Sequence, residues 1–175
     1  MRTLYLLRHA KSAWGEDDLN DHDRVLNERG REAAPVIGRF LKRKTATIDL
    51  AICSSAARAQ ETWSLVSKEL PFQPPVEVDE RLYLCGVESM VMRLREVSDD
   101  VQSLIIIAHN PDMQILTISL SADRASQAAG RARHKFPTAG LAGFELDIDH
   151  WQDLRPDCGE LVFFESPKRL IEGLA

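Results

Sequence analysis

The sequence predicts an α/β fold, a three-layer α/β/α sandwich on a mostly parallel sheet with an antiparallel edge near the C-terminus. Three observations carry that prediction. Short, wholly apolar runs such as Leu50-Ala51-Ile52-Cys53 and Leu104-Ile105-Ile106-Ile107-Ala108 read as strands covered on both faces. Between such runs lie segments whose apolar residues recur at helical spacing, so that strand and helix alternate from the start of the chain. Near the end the alternation stops: residues 143–148 and 160–165 form two short apolar or alternating runs with no helix between them, as an antiparallel pair requires.

Taken in order, the first strand is expected over residues 3–7, followed by a polar stretch at residues 15–25 rich in Asp, Asn and His. Asn27 can cap a helix with Glu28 in its first turn and an apolar stripe of Ala33, Val36, Ile37, Phe40 and Leu41. Pro35 lies inside that stripe. Because an interior proline removes an amide donor and costs about 3 kcal/mol, the sequence predicts a kink near residues 31–35 or a later helix start. The second strand, residues 50–53, leads to Ser55 as a cap and a helix to about Leu70, with Trp63, Val66 and Leu70 on its buried face.

Pro71, Pro74 and Pro75 stop this helix and precede an extended stretch at residues 76–78 and a loop carrying Asp79-Glu80-Arg81-Leu82-Tyr83. A helix is expected over residues 87–97 and the central strand over 104–108. Pro111 suits the first turn of the next helix, whose stripe is Met113, Ile115, Leu116 and Leu120. Residues 121–135 hold Arg124, Arg131, Arg133, His134 and Lys135 among small residues without clear periodicity, and are expected to form a surface loop.

At 175 residues and 44% hydrophobic composition the chain is long enough for one well-buried core, so a single domain over residues 1–175 is expected. The net charge of −5, with both signs interspersed, argues against a nucleic-acid partner. The N-terminal apolar run is shorter than a secretory core of about 7–15 residues or a membrane span of about 20, which points to a cytoplasmic protein without a membrane partner. Cys53, Cys85 and Cys158 are odd in number, widely spaced and lack C-x-x-C spacing, as expected of reduced thiols. Cys53 and Arg58 are similar to the C-x5-R loop of cysteine-dependent phosphatases, but only four residues intervene and none is Gly, so a buried strand cysteine is the expectation.

Chemistry concentrates at the ends of the expected strands. Arg8-His9, Arg58 after the second strand and His109 after the central one place two guanidinium forks and two imidazoles where α/β folds do their work. That set suits a phosphoryl group, since guanidinium matches phosphate oxygens and a neutral imidazole can attack phosphorus. The Asp21-His22-Asp23 cluster has metal-ligand chemistry, but adjacent residues on an extended loop point apart, and a solvated loop is expected instead.

Four motifs in order, Arg8-His9-Ala10-Lys11-Ser12-Ala13-Trp14, Leu26-Asn27-Glu28-Arg29-Gly30, Ser54-Ser55-Ala56-Ala57-Arg58-Ala59-Gln60-Glu61-Thr62 and Ala108-His109-Asn110-Pro111, resemble the histidine phosphatase superfamily, which has the phosphoglycerate mutase-like fold. The resemblance runs over nearly the whole chain, and the Arg-His-Ala-Lys-Ser form is most similar to the small phosphohistidine phosphatases of the SixA type. It implies a metal-independent phosphatase without cofactor. His9 would be the nucleophile, passing through a phosphohistidine intermediate; Arg8 and Arg58 would clamp phosphate oxygens, and His109 would donate to them. Glu80, in a Glu-Arg-x-Tyr context, matches the proton donor of mutase-like members, although SixA-type enzymes lack an assigned acid, and an Arg-paired loop carboxylate stands beside that role. Ser12 is either a phosphate ligand or a turn cap. Gly15 stands where mutases have Asn.

The implied substrate is phosphohistidine on a signalling protein, since no insertion long enough to build a lid is present. A phosphatase of a small phosphorylated metabolite and a non-catalytic phosphate-binding module remain as alternatives. So does a metal-dependent phosphodiesterase using His9, His109, Asp112 or residues 21–23, against which the spacing argues. The basic residues between Arg124 and Lys135 are either solvated or steer an acidic phosphoprotein.

Overall fold

A computed structural model describes residues 1–13, 20–45 and 47–173. Six strands form one sheet in the order β3-β2-β4-β1-β5-β6. β1 (Arg2–Arg8), β2 (Leu50–Ser54), β3 (Val76–Asp79) and β4 (Ser103–Ala108) are mutually parallel, while β5 (Leu141–Leu146) runs antiparallel to β1, and β6 (Gly159–Glu165) antiparallel to β5. The predicted sandwich and its C-terminal antiparallel edge are therefore present.

The two-residue period of a strand distributes the core. Leu4 and Leu6 of β1, with Leu104 and Ile106 of β4, face a core shared with Met90 and Leu94 of α3 (Val87–Arg95) and Met113, Leu116 and Leu120 of α4 (Asp112–Leu120). Tyr5, Leu7, Ile105 and Ile107 face the opposite core, built with Ile37 and Leu41 of α1 (Glu28–Lys44) and Trp63 and Val66 of α2 (Ala57–Ser67). Every residue of β2 and β4 is buried, as their unbroken apolar runs predict. Edge strand β3 leaves Val76 and Val78 exposed.

Several expectations are corrected. Helix α1 starts directly after Asn27, whose side chain accepts from the Gly30 amide at 2.9 Å; the later start did not follow from Pro35. Arg31, whose carbonyl loses the amide that Pro35 lacks, is on the exposed side, where water can satisfy it. Ser55 is not the α2 cap: Ala56 holds that position without a side-chain cap, and the Ser55 hydroxyl is turned to His22 instead. Helix α2 ends at Ser67 rather than near Leu70, although Leu70 is buried as expected. Ile115 is 45% exposed and lies off the buried stripe of α4.

The stretch read as a surface loop contains α5 (Gln127–His134), started by Ser126, whose hydroxyl accepts from Ala129, and seated through buried Ala129 and Ala132. Two alanines three apart are enough to face a core but give little periodic signal. A further short helix, α6 (Pro167–Ile171), follows β6. Among the described residues no helix is long and apolar enough to cross a membrane.

One contact ties α1 to the strand that begins the site. The Lys11 carbonyl accepts the Asn27 amide at 3.0 Å, and a Cβ on Gly30 would sit 2.2 Å from that same carbonyl oxygen. Gly30 is therefore required for the close approach of α1 to the segment just after His9. Gly30→Ala is expected to cost about 1–3 kcal/mol, the usual penalty of overpacking. A denaturation midpoint equal to that of the parent chain would contradict this.

Candidate active site

The parallel strands β1, β2 and β4 lie side by side and end at the same edge of the sheet. They deliver Arg8 and His9, Ser54, and His109 respectively to that edge, while the first turn of α2 brings Arg58. The set named from the sequence is thus brought together: the His9 and His109 rings are 5.1 Å apart, and an Arg58 amino group is 3.4 Å from His109 Nδ1.

His9 is fixed from several sides. Its amide donates to the Ala108 carbonyl and its carbonyl accepts the Ala139 amide, while its Nδ1 lies 2.7 Å from the Ala10 carbonyl. A carbonyl oxygen only accepts, so Nδ1 carries the proton and Nε2 is left with its lone pair. The Ala10 amide donates to Thr62 Oγ1, which in turn donates to the Arg58 carbonyl, so one buried threonine joins the His9 loop to the Arg58 turn. Burial pushes the His9 pKa down from 6.5 to about 4; the hydrogen bond to Ala10 opposes the shift, and Arg58, Arg8 and Arg24 add to it. Neutral His9 is the form that can attack an electrophile.

His109 is 2% exposed, and burial, followed by the charges of His9 and Arg58, pushes its pKa down to about 3. Its Nε2 pairs with Ser54 Oγ at 2.7 Å. Because the Arg58 guanidinium only donates, Nδ1 accepts in this arrangement and Nε2 donates to Ser54. A hydroxyl can reverse its role. If Ser54 donates instead, Nδ1 is free to carry a proton toward an oxyanion, which is the donor role expected from the sequence. Ser54 is therefore a functional candidate that the sequence reading quoted only as part of a motif.

The guanidinium groups present a second contrast. Arg8 donates through Nη1 to the Phe136 carbonyl at 2.6 Å, and its Nε is buried without a partner among the described residues; Arg58 Nε is in the same condition. Buried unpaired donors of this kind are what an oxyanion satisfies. Arg58 itself is held by Asp21, donating to its carbonyl at 2.5 Å and its carboxylate at 3.0 Å. The Asp21 carboxylate also accepts from Tyr83 Oη at 2.6 Å and pairs with Arg24 at 2.7 Å. The hydrogen bond from Tyr83, together with Arg58 and Arg24, lowers its pKa to about 2.

Asp21 and Tyr83 are thus members of the site that sequence reasoning missed. Residues 21–23 form a short 3-10 turn with no buried residue, solvated as expected, yet His22 Nε2 lies 2.9 Å from Ser55 Oγ and its ring is edge-on to Tyr83. Tyr83 also stacks edge-on against His109 and lies under the Arg58 guanidinium. Only the acidic character of residues 21–23 was visible in the sequence, and it does not say which carboxylate turns inward.

Among the described residues, the side chains of the remaining sequence candidates make no hydrogen bond to His9, His109, Arg8 or Arg58. Glu80 opens the 3-10 turn Glu80–Leu82 after β3, is exposed, and makes no ion pair among the described residues; Arg81 pairs with Asp79 and Glu96 instead, which corrects the Arg-paired alternative. Ser12 is buried and bridges through its backbone to Leu26, and its hydroxyl caps no turn among the described residues. Gly15 lies outside the described residues. Cys53 is 1% exposed, and burial pushes its thiol up to about 12, far from a thiolate nucleophile at neutral pH. Among the described residues no three His, Cys, Asp or Glu side chains are grouped to hold a metal ion.

The neutrality of His9 has a measurable consequence. Its proton NMR titration is expected to show a midpoint near pH 4 rather than the ordinary 6.5. Between those values the unfolded chain binds a proton that the fold excludes. The stability contributed by neutral His9 is therefore full above pH 6.5 and is lost as the pH falls through about 4. A midpoint at or above 6.5 would contradict the assigned environment.

Known proteins share the sequence pattern and the fold of this chain. An uncharacterised protein of Mycobacterium tuberculosis is 34% identical over 164 residues, covering 93% of this chain and 100% of its own length. A candidate phosphohistidine phosphatase SixA from Nakamurella multipartitia superposes with a TM-score of 0.83 at 26% identity, covering 95% of this chain and 96% of that one. A second candidate SixA, from Agrobacterium tumefaciens, superposes with a TM-score of 0.78 at 28% identity, over 95% and 98% of the two chains. The family model of the histidine phosphatase superfamily (branch 1) matches residues 4–93, and the chain belongs to that superfamily.

Proposed function

We propose that the protein hydrolyses a phosphoryl group through a phosphohistidine intermediate on His9 and that its substrate is phosphohistidine on a signalling protein. The observation that carries the proposal is the neutral, tautomer-fixed His9, beside His109 and two arginines. In the first step the Nε2 lone pair attacks phosphorus, an Nε2–P bond forms, and the P–N bond to the substrate imidazole breaks. The leaving imidazole departs neutral, keeping the proton it carries. In the second step water attacks phosphorus, the bond to His9 breaks, His9 returns to its neutral Nδ1–H form, and inorganic phosphate leaves with the water oxygen and both of its protons.

Arg8 and Arg58 stabilise the equatorial oxygens, and His109, reoriented by Ser54, donates to them. Asp21 shares Arg58 with the phosphoryl group and keeps the guanidinium aligned. An imidazole leaving group requires little acid help, and Glu80 at the rim serves only leaving groups that must be protonated, such as alkoxides. Ser12 lies along the loop that follows His9 and is assigned to phosphate binding. The similarity to candidate SixA proteins over 95% of the chain supports the substrate class, and three free thiols support a reducing, cytoplasmic setting.

The test compares a phosphohistidine peptide, p-nitrophenyl phosphate and a sugar phosphate under excess EDTA. The expected result is a kcat/KM for the peptide about a hundredfold above that for the sugar phosphate. A sugar phosphate turned over better than the peptide would replace the protein substrate by a metabolite.

A further inference from the structure

Although the chain carries a net charge of −5, a groove of about 820 Å³ between α5 and α6 is lined by Arg131, Lys135, Lys168 and Arg169, with His134 beside them and Glu165 as the carboxylate among them. Glu165 is buried, pairs with Arg169 at 3.0 Å and lies 3.8 Å from Arg131, so it orders two of the cations. The other two project outward: Lys168 is 81% exposed, with the Glu172 carboxylate 3.8 Å away, and Lys135 is exposed without an ion pair among the described residues. A concentrated positive surface on an otherwise acidic protein is a recognition feature rather than a requirement of folding.

Its position is set by strand register. Leu7 of β1 pairs with Leu141 of β5, and Leu141 pairs with Glu165 of β6, so the three residues form one row across the sheet at the end where His9 leaves β1. Neighbouring strands are about 4.8 Å apart, which places the floor of the groove about 10 Å from the start of the site. The near wall is closer still. Lys135 and Pro137 line the groove, and the Phe136 carbonyl between them accepts the Arg8 guanidinium at 2.6 Å. Groove and site are thus two parts of one surface, joined by residues 135–137.

We propose that this groove docks an acidic segment of the phosphorylated protein and holds its phosphohistidine over His9, a proposal that rests on the phosphoprotein reading given above. An extended chain rises about 3.3 Å per residue, so acidic side chains three to six residues from the phosphohistidine reach the groove while the phosphoryl group is at the site.

The experiment uses two phosphohistidine peptides, one with glutamates at positions three to six on both sides of the phosphohistidine and one with serines there, and p-nitrophenyl phosphate as a control. At low salt the glutamate peptide is expected to have a kcat/KM about tenfold above the serine peptide, with the difference in KM and removed at high salt. Lys135→Glu with Lys168→Glu, both at exposed positions, abolishes the preference and leaves p-nitrophenyl phosphate turnover unchanged. Equal turnover of the two peptides by the parent chain overturns the docking proposal and leaves the phosphohistidine substrate standing. If neither peptide is hydrolysed while p-nitrophenyl phosphate is, the substrate reading fails, and fluorescence anisotropy with the unphosphorylated glutamate peptide decides the groove separately. Salt-sensitive binding lost in the double variant supports the groove, and absence of binding overturns it.

Discussion

His9→Ala is expected to abolish phosphate release, with kcat reduced on the order of 10⁴-fold or more, as for the loss of other covalent nucleophiles. The size of the effect follows from the arrangement around the ring. Ala10 fixes the tautomer, Ala108 and Ala139 fix the backbone, and burial keeps the imidazole neutral. Among the described residues no neighbouring group supplies an equivalent lone pair: the His109 nitrogens are engaged by Ser54 and Arg58, and the Cys53 thiol is buried and protonated. The variant must be shown to fold by an unchanged thermal transition. Excess EDTA is expected to leave the parent chain's turnover intact, and turnover abolished by EDTA and restored by a divalent ion would favour the metal-dependent alternative.

The second large effect is expected at Arg58. Removing one preorganised donor from an oxyanion site costs about 10²–10³ in rate, or about 2.7–4 kcal/mol. Arg58→Ala is expected to lower kcat/KM by that factor. Arg58→Lys is expected to recover only part of it, since an ammonium keeps the charge but cannot span Asp21 and a phosphoryl oxygen with a planar fork. Asp21 is half exposed, with 49% of its side chain accessible, so water can solvate the carboxylate that either variant leaves. The loss is therefore one of catalysis rather than of folding. Activity of Arg58→Ala within about threefold of the parent chain would remove Arg58 from the phosphate clamp.

What the sequence made legible follows from how local each signal is. The apolar runs of β1, β2 and β4 are decided by residues adjacent in the chain, and the chemistry at their ends follows because parallel strands finish at one edge. The Asn27 cap is equally local, and it set the start of α1 despite Pro35. By contrast, the Asp21 contact with Arg58 joins residues 37 positions apart, and the Tyr83 contact with Asp21 joins residues 62 apart. Neither spacing nor residue type encodes such pairs; they exist only once the 3-10 turn at 21–23 packs against α2 and that at 80–82 against β2 and α3. Helix α5 escaped for a different reason. Its buried face consists of alanines, so its placement depends on small volume rather than on an apolar stripe.

The division of labour between the candidate site and the cationic groove has a physical logic. Arg58 is buried and Arg8 partly buried, and both are held by oxygen acceptors, which suits the small, highly charged phosphoryl group of the proposed reaction. Lys135 and Lys168 are exposed and adaptable, which suits an acidic segment whose conformation varies between partners.

The most direct measurement is to mix the protein with excess phosphohistidine peptide, quench in alkali within milliseconds, digest, and locate phosphate by mass spectrometry. Base preserves a phosphohistidine linkage that acid destroys. A base-stable, acid-labile phosphoryl group on His9, formed and lost at rates compatible with turnover, is the predicted result. Phosphate found on another residue, or turnover by His9→Ala with no phosphorylated enzyme, would contradict the account.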